Sequence, residues 1–244
     1  MIFINSCTPG SKTTSLPTDS KQLMIVVAES GNTTKATMYC FEKDGKEWKA
    51  ITGTIPVCIG KNGLAWGAGL HSEKAPTGFP LKKEGDGKSP AGIYIVGSVF
   101  GFAPASEMAV LKMPYIPILE MTECVDDINS SYYNLIVSKE EIKKNAKVDW
   151  TSSEKMLQVR TAYEIGATVN HNMNPVRNGG GSCIFLHVWS GPESFTAGCT
   201  SMSLENMKRL ALWMDANKKP VLVQLTHDLY SRLKQQWNLP EISF

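Results

Sequence analysis

The chain has 244 residues, 42% of them hydrophobic, enough to bury a sizeable core as one large domain or two small ones. Lysine and arginine number 25 against 23 aspartates and glutamates, so there is no electrostatic footprint for duplex nucleic acid or an anionic membrane surface. No apolar run approaches the roughly 20 residues that span a bilayer, which excludes a transmembrane helix within this sequence.

The opening stretch, MIFINSCTPGSKTTSLPTDSK, lacks the basic n-region and long apolar h-region of a secretory signal, and serine, threonine and proline crowd its second half. Residues 1–20 are expected to form a disordered leader and residues 21–244 a single domain. FINSC loosely resembles a lipoprotein processing site with Cys7 as the acylated residue, but Asn5 and the missing apolar run argue against it. QLMIVVAES and TKATMYCFEKDGKEWKAI predict strands, the second a hairpin turning at Asp44-Gly45. Residues 60–92 are dense in glycine, lysine and proline without a traceable period, and predict a long loop of the kind that often carries function. Strands are predicted again at GIYIVGSVF, YYNLIVS, IGATVN and SCIFLHVW, with TSSEKMLQ as the one helical candidate between them.

After Ser203, a candidate N-cap with Glu205 in the first turn, Leu204, Met207, Leu210, Ala211 and Met214 recur at helical spacing. PVLVQL predicts a strand. Thr226 then caps a last helix with Leu229, Leu233 and Trp237 on one face. No internal repeat is present. The six cysteines, Cys7, Cys40, Cys58, Cys124, Cys183 and Cys199, form no CxxC pair and are too sparse for a disulfide scaffold; free buried thiols are expected, and any disulfide framework is incomplete.

The chemistry concentrates in GGGSCIFLHVWSGPESFTAGCTSMS. On an extended strand Cys183, Phe185, His187 and Trp189 share one face, and a return loop then leads to Thr196-Ala197-Gly198-Cys199 just ahead of the Ser203-capped helix. Such a return can bring an imidazole beside a thiol, the neighbour a cysteine needs to act as a nucleophile at neutral pH. The backbone N–H groups of Gly198, Cys199 and Thr200 can cradle an oxyanion there. Taken without context, a histidine in an apolar strand and a cysteine in a small-residue turn are more often packing residues. A zinc site from Cys183, His187 and Cys199 fits poorly, because four residues of strand span about 13 Å. A papain-like peptidase normally places its cysteine before its histidine, the reverse of this order.

IFLHVW and TAGCTSMS together resemble the catalytic motif of the YkuD-type L,D-transpeptidases, a strand histidine followed by a Ser/Thr-x-Gly-Cys turn. GKNGLAWG, EGDGKSPAGIY, MPY, CVDDINSSYYN and DWTSSEKM resemble upstream blocks of the longer bacterial branch, so the likeness covers roughly residues 45–240. The resemblance implies a mostly β fold with some α, a β-sandwich or mixed-sheet catalytic domain with C-terminal helices. It implies Cys199 as acyl-accepting nucleophile, His187 as its base and acid, the Val188 carbonyl orienting the imidazole, Gly198 and Cys199 as oxyanion donors, and Thr196 as the motif's hydroxyl. The implied reaction joins peptidoglycan stem peptides through a thioester, cross-linking third stem residues, with no cofactor or metal. Hydrolysis by an L,D-carboxypeptidase and a non-catalytic peptidoglycan-binding module are the alternatives. The implied location is extracytoplasmic, in the periplasm or cell envelope, and carbapenems are the implied inhibitors.

Two positions depart from the commoner motif: Ala197 stands where it has histidine and Ser201 where it has arginine. Arg177 is the candidate replacement for that positive charge, against the plainer reading of a solvated loop residue. Asp126 and Asp127, with Ser130, Tyr133 and Asn134, are candidates to line a peptide groove, although adjacent aspartates equally serve as loop caps. Trp189 is either a wall of the site or core. Trp150, Ser153 and Glu154 read as a capped helix start, and His71 and His227 as surface residues.

Overall fold

The computed structural model describes residues 16–51 and 53–243, so Cys7 and most of the expected leader lie outside the described residues. In chain order the strands and helices are Gln22–Ala28 (β1), Lys35–Asp44 (β2), Glu47–Ala50 (β3), Ile55–Cys58 (β4), Leu64–Trp66 (β5), Ser89–Gly101 (β6), Tyr115–Pro117 (β7), Thr122–Val125 (β8), Ile136–Ser138 (β9), Lys139–Asn145 (α1), Ser153–Lys155 (β10), Ile165–Val169 (β11), Phe185–Val188 (β12), Thr200–Met202 (β13), Leu204–Trp213 (α2), Val221–Thr226 (β14) and His227–Leu233 (α3). Two 3-10 segments cover Met156–Tyr163 and Ala216–Lys218.

The hydrogen-bonded path runs β1-β14-β6-β11-β12-β13-β4-β2, and β2 pairs back onto β1, which closes the strands into a ring. The expectation of a mostly β, mixed-sheet domain with C-terminal helices therefore holds, and the sheet closes into a mixed barrel that leaves no open edge along that path. β1 and β14 run parallel, from Leu23 opposite Val221 to Ala28 opposite Thr226, and every residue of both strands is buried. That is why QLMIVVA and PVLVQL read as continuous apolar runs rather than alternating ones. α3 packs on β1 and β14, and α2 on β11 and β12. Both C-terminal helices carry the expected caps, with Ser203 Oγ accepting from Asn206 N–H and Thr226 Oγ1 from Leu229 N–H. Among the described residues no helix is long and apolar enough to cross a membrane.

A second sheet, β10-β8-β9, stands apart from the barrel. Between the two lies a separate apolar cluster of Phe100, Ile118, Cys124, Met156, Tyr163, Cys183, Phe185 and Cys199. A disulfide between Cys124 of β8 and Cys183 ties the small sheet to the segment entering β12. This corrects the expectation of free thiols at those two positions; Cys40, Cys58 and Cys199 are free and buried.

Several local expectations change. The hairpin after β2 turns at Gly45-Lys46, since Asp44 pairs with Glu47 inside the ladder, and Gly45 takes the positive φ of 62°. TSSEKMLQ is not a helix start: Ser153 to Lys155 pair with β8 as a strand, and only then does a 3-10 segment begin. α1 was not foreseen. Residues 16–20 belong to the packed body, with Leu16 buried and the Ser20 hydroxyl bonded to the Gln22 and Lys219 carbonyls. His71 is buried: its Nδ1 accepts from Ile93 N–H, Nε2 donates to the Gly67 carbonyl, and its ring packs against Trp66 and Trp237. His227 is half-buried at the head of α3.

Candidate active site

β12 and β13 run in parallel, with Leu186 opposite Thr200 and His187 opposite Ser201. Cys199 immediately precedes β13, so the turn that carries it lies alongside the start of the histidine strand. Its sulfur accepts the Phe185 N–H at 3.3 Å and donates to the Cys183 carbonyl at 3.4 Å. Phe185 and His187 point to one face of β12, and both rings meet the Tyr163 ring edge-on at a centroid distance of 5.6 Å. Cys183, expected on the same face of the same strand, instead takes a φ of 53° and lies outside β12. The zinc set that strand spacing already disfavoured is also denied Cys183, which is spent in the disulfide; among the described residues no cluster of three ligating side chains is arranged to hold a metal.

The turn is fixed by hydrogen bonds to a single acceptor. Thr196 Oγ1 donates to the Cys199 carbonyl at 2.6 Å, and Ser89 Oγ donates to the same oxygen at 2.9 Å. Thr196 Oγ1 in turn accepts the Gly198 N–H at 3.1 Å. Gly198 has a φ of 156°, and a Cβ there would lie 3.1 Å from the Lys88 carbonyl oxygen, so glycine suits both the backbone angle and the space. Because its N–H is engaged by Thr196, Gly198 is committed to holding the turn. Thr200 sits in the β13 ladder, with its hydroxyl bonded to Gln224 Oε1 at 2.7 Å. Among the described residues the N–H groups of Ala197 and Cys199 in this turn have no acceptor.

His187 Nδ1 lies 2.8 Å from the Val188 carbonyl. A carbonyl only accepts, so Nδ1 carries the hydrogen and Nε2 is left with a free lone pair. Burial holds the imidazole below its ordinary pKa, opposed by that bond. Burial likewise pushes the Cys199 thiol far up, Glu154 adds to the rise, and the Phe185 N–H and the Lys82 ammonium pull it back. Both causes favour neutral forms, so at neutral pH the resting pair is a thiol and an uncharged imidazole.

Several candidate binding residues prove to be framework. Tyr133 is buried, donating to Glu84 Oε2 at 2.5 Å and accepting Gly181 N–H at 3.1 Å. Asn134 is buried as well: its amide donates to the His171 and Asn172 carbonyls and its oxygen accepts Cys183 N–H at 2.9 Å. These bonds clamp the segment leading into β12, and each residue also lines a surface depression, Tyr133 one shared with Ser130, Asp149 and Val176, and Asn134 one shared with Ile136, Asn170 and Phe185. Asp127 caps its own loop, accepting from Asn129 N–H and from the Thr151 N–H and hydroxyl. The Thr151 N–H foremost holds its carboxyl down to about 2. Thr196, too, is turned inward onto the Cys199 turn. Trp189 is half-buried, its N–H bonded to the Met202 carbonyl. Arg177 is exposed, its main chain clamped by the Asn172 side chain and its guanidinium without a salt bridge among the described residues. Ser201, at the motif's arginine position, is buried with an unbonded hydroxyl.

Sequence reading missed Lys82, Tyr163 and the place of Glu154. Lys82 is a buried cation paired with Asp86 Oδ1 at 2.6 Å. Tyr163 donates to Glu154 Oε2 at 2.5 Å. Lys82 stands just ahead of the EGDG stretch and Glu154 inside DWTSSEKM, so the signal was present in those blocks but was read as loop and helix cap.

No curated protein matches the sequence. A solved structure, that of Bdellovibrio bacteriovorus Bd1075, aligns at 16% identity and a TM-score of 0.40 over 88% of this chain. It covers 54% of that protein, so the chain spans about half the length of the structure it matches. The YkuD family, described as the L,D-transpeptidase catalytic domain, matches residues 25–223. That span begins within β1 and ends within β14, taking in most of the barrel and the segments that carry His187 and Cys199, and the chain therefore belongs to the YkuD family of L,D-transpeptidase catalytic domains.

Proposed function

We propose that this protein is a cysteine acyltransferase acting on peptidoglycan stem peptides, an L,D-transpeptidase joining third stem residues. The observation that carries the reading is the His187 tautomer: with Nδ1–H held on the Val188 carbonyl, Nε2 is left as a base on the face of β12 beside the Cys199 turn. Cys199 Sγ attacks the carbonyl carbon of the third stem residue as its proton passes to His187 Nε2. The resulting oxyanion is met by the Cys199 N–H, aimed by a turn that is already fixed and need not reorganise. His187 returns the proton to the departing nitrogen, the terminal D-amino acid leaves, and a thioester remains on Cys199. The amine of a second stem then attacks the thioester, His187 takes its proton, and the thiol is regenerated. Both resting partners are neutral, so the base acts during attack rather than through a standing thiolate-imidazolium pair.

Arg177 supplies the charge that binds the donor's terminal carboxylate, a role its exposure and unpaired guanidinium suit. The Cys124–Cys183 disulfide supports an extracytoplasmic site of action, where thiols are not kept reduced. Incubation of the protein with purified tetrapeptide stems, with products read by mass, tests the proposal. Stem dimers together with free D-amino acid are expected. D-amino acid without dimers would make the protein a carboxypeptidase, and unchanged stems would make it a binding module.

A further inference from the structure

Glu154 lies in β10 opposite Cys124, the half-cystine bonded to the residue whose carbonyl holds the Cys199 thiol. Its carboxyl accepts the Tyr163 hydroxyl at 2.5 Å, and the Tyr163 ring stands edge-on to the His187 ring. Tyr163 belongs to the same buried cluster as Cys199. One tyrosine thus joins a carboxyl, the imidazole and the thiol.

We propose that Glu154 and Tyr163 form a positioning pair that acts on the His187–Cys199 pair by setting how much negative charge the nucleophile's pocket holds. The inference rests on the transferase reading above. An ionised Glu154 opposes formation of the Cys199 thiolate and favours a proton on His187; a protonated Glu154 does neither. The groups that face Glu154 set its state. Burial pushes its carboxyl up to about 7, the Tyr163 hydroxyl opposes this, and Asp126 and Glu84 push it further up. Lys82 is the compensating cation on the Cys199 side. The pocket therefore gains its negative charge close to neutrality. Sequence spacing gives the pair its reach: β10 delivers Glu154, and the 3-10 segment, kinked at Arg160 with a φ of 57°, turns Tyr163 back over it.

The test is alkylation of Cys199 by iodoacetamide in the full-length protein, mapped by mass to separate Cys199 from Cys40 and Cys58, from acid to about pH 10. Wild type is compared with Glu154→Gln, which keeps the acceptor and removes the charge, and with Tyr163→Phe, which keeps the ring and removes the donor. In wild type the rate should climb less than tenfold per pH unit near neutrality, because the carboxylate that forms there makes the small thiolate fraction harder to reach. In Glu154→Gln the climb should become regular and the rate at pH 8 rise by about three- to tenfold, the size of a like-charge effect of half to one pKa unit. In Tyr163→Phe the flattened region should move to higher pH, since Glu154 loses the donor that favours its charged form. On the acid side, where Glu154 is protonated, the rates of wild type and Glu154→Gln should agree. Equal profiles in wild type and Glu154→Gln would overturn the inference, as would a rise by the same factor at every pH in both variants, which would mean that they merely uncover the thiol. Alkylation needs no turnover, so a wild type inert on stem peptides would sink the transferase reading without deciding this one.

Discussion

The Cys124–Cys183 disulfide closes a loop of 59 residues in sequence separation and joins the small sheet to the entrance of β12. In the chain-entropy treatment a loop of that length restricts the unfolded state by about 4 kcal/mol. For a protein of this size such a loss lowers the melting temperature by about 8–16 °C. The Cys199 turn should feel it less. Cys183 is also held by its N–H to Asn134 Oδ1, and Cys199 by Thr196 and Ser89, so the turn keeps its own supports. Urea unfolding of wild type and of the Cys124→Ala/Cys183→Ala double variant, without reductant, should show a lowered midpoint. Cys199 alkylation at high pH should change by less than about threefold, because the bonds that fix its turn remain. An unchanged midpoint would refute the energetic reasoning; loss of Cys199 reactivity in a still-folded variant would refute the independence of the turn.

Carbapenem treatment should add one adduct, mapped to Cys199; an adduct on Cys58 would mean that the reactive thiol has been misassigned. Thr196→Val removes a donor to the Cys199 carbonyl while Ser89 remains, and should lower kcat/KM by about two- to tenfold, the effect of one neutral hydrogen bond. Arg177→Ala should reduce kcat/KM on a tetrapeptide donor at least tenfold, roughly one charge-assisted bond, and leave thiol alkylation unchanged; equal donor kinetics would reject the assignment. Burial holds His171 down to about 4, so the folded protein keeps it neutral while the unfolded chain takes up a proton near its ordinary value. Its contribution to stability is present above about pH 6.5 and lost as pH falls through about 4. The slope of urea midpoint against pH in that window should flatten in His171→Gln, and an unchanged slope would assign the acid sensitivity elsewhere.

What could be read from the chain followed from how strongly each element declares itself locally. β1 and β14 announced themselves because strands buried on both faces are unbroken apolar runs, and α2 and α3 because each pairs a capping hydroxyl with an apolar stripe. α1 escaped for the opposite reason: it buries no residue, so it has no stripe, and only its Ser138 cap and its acidic first turn and basic last turn mark it. Glu154 was misread because a serine and a glutamate ahead of apolar residues look the same whether the backbone turns into a helix or pairs with β8. That choice is made by a partner about 30 residues away, which no local pattern shows. That Tyr133 and Asn134 clamp the segment entering β12 and Asp127 caps its own loop was not legible, because the partners of a polar side chain are set by the tertiary structure. The Cys124–Cys183 pairing was hidden for the same reason. The placement of the Cys199 turn alongside the strand of His187 was legible because a strand followed by a short return to a glycine-cysteine turn brings the two segments into parallel register.

The central claim, that Cys199 and His187 act as one unit in acyl transfer, is tested most directly by stem-peptide turnover in Cys199→Ala, His187→Ala and the double variant, measured as dimer and D-amino acid by mass. Each single substitution is predicted to abolish turnover, with His187→Ala falling by about 100-fold or more, the contribution of a general base. The double variant should be little worse than Cys199→Ala, because residues that act together are not additive. Substantial turnover in Cys199→Ala would contradict the account.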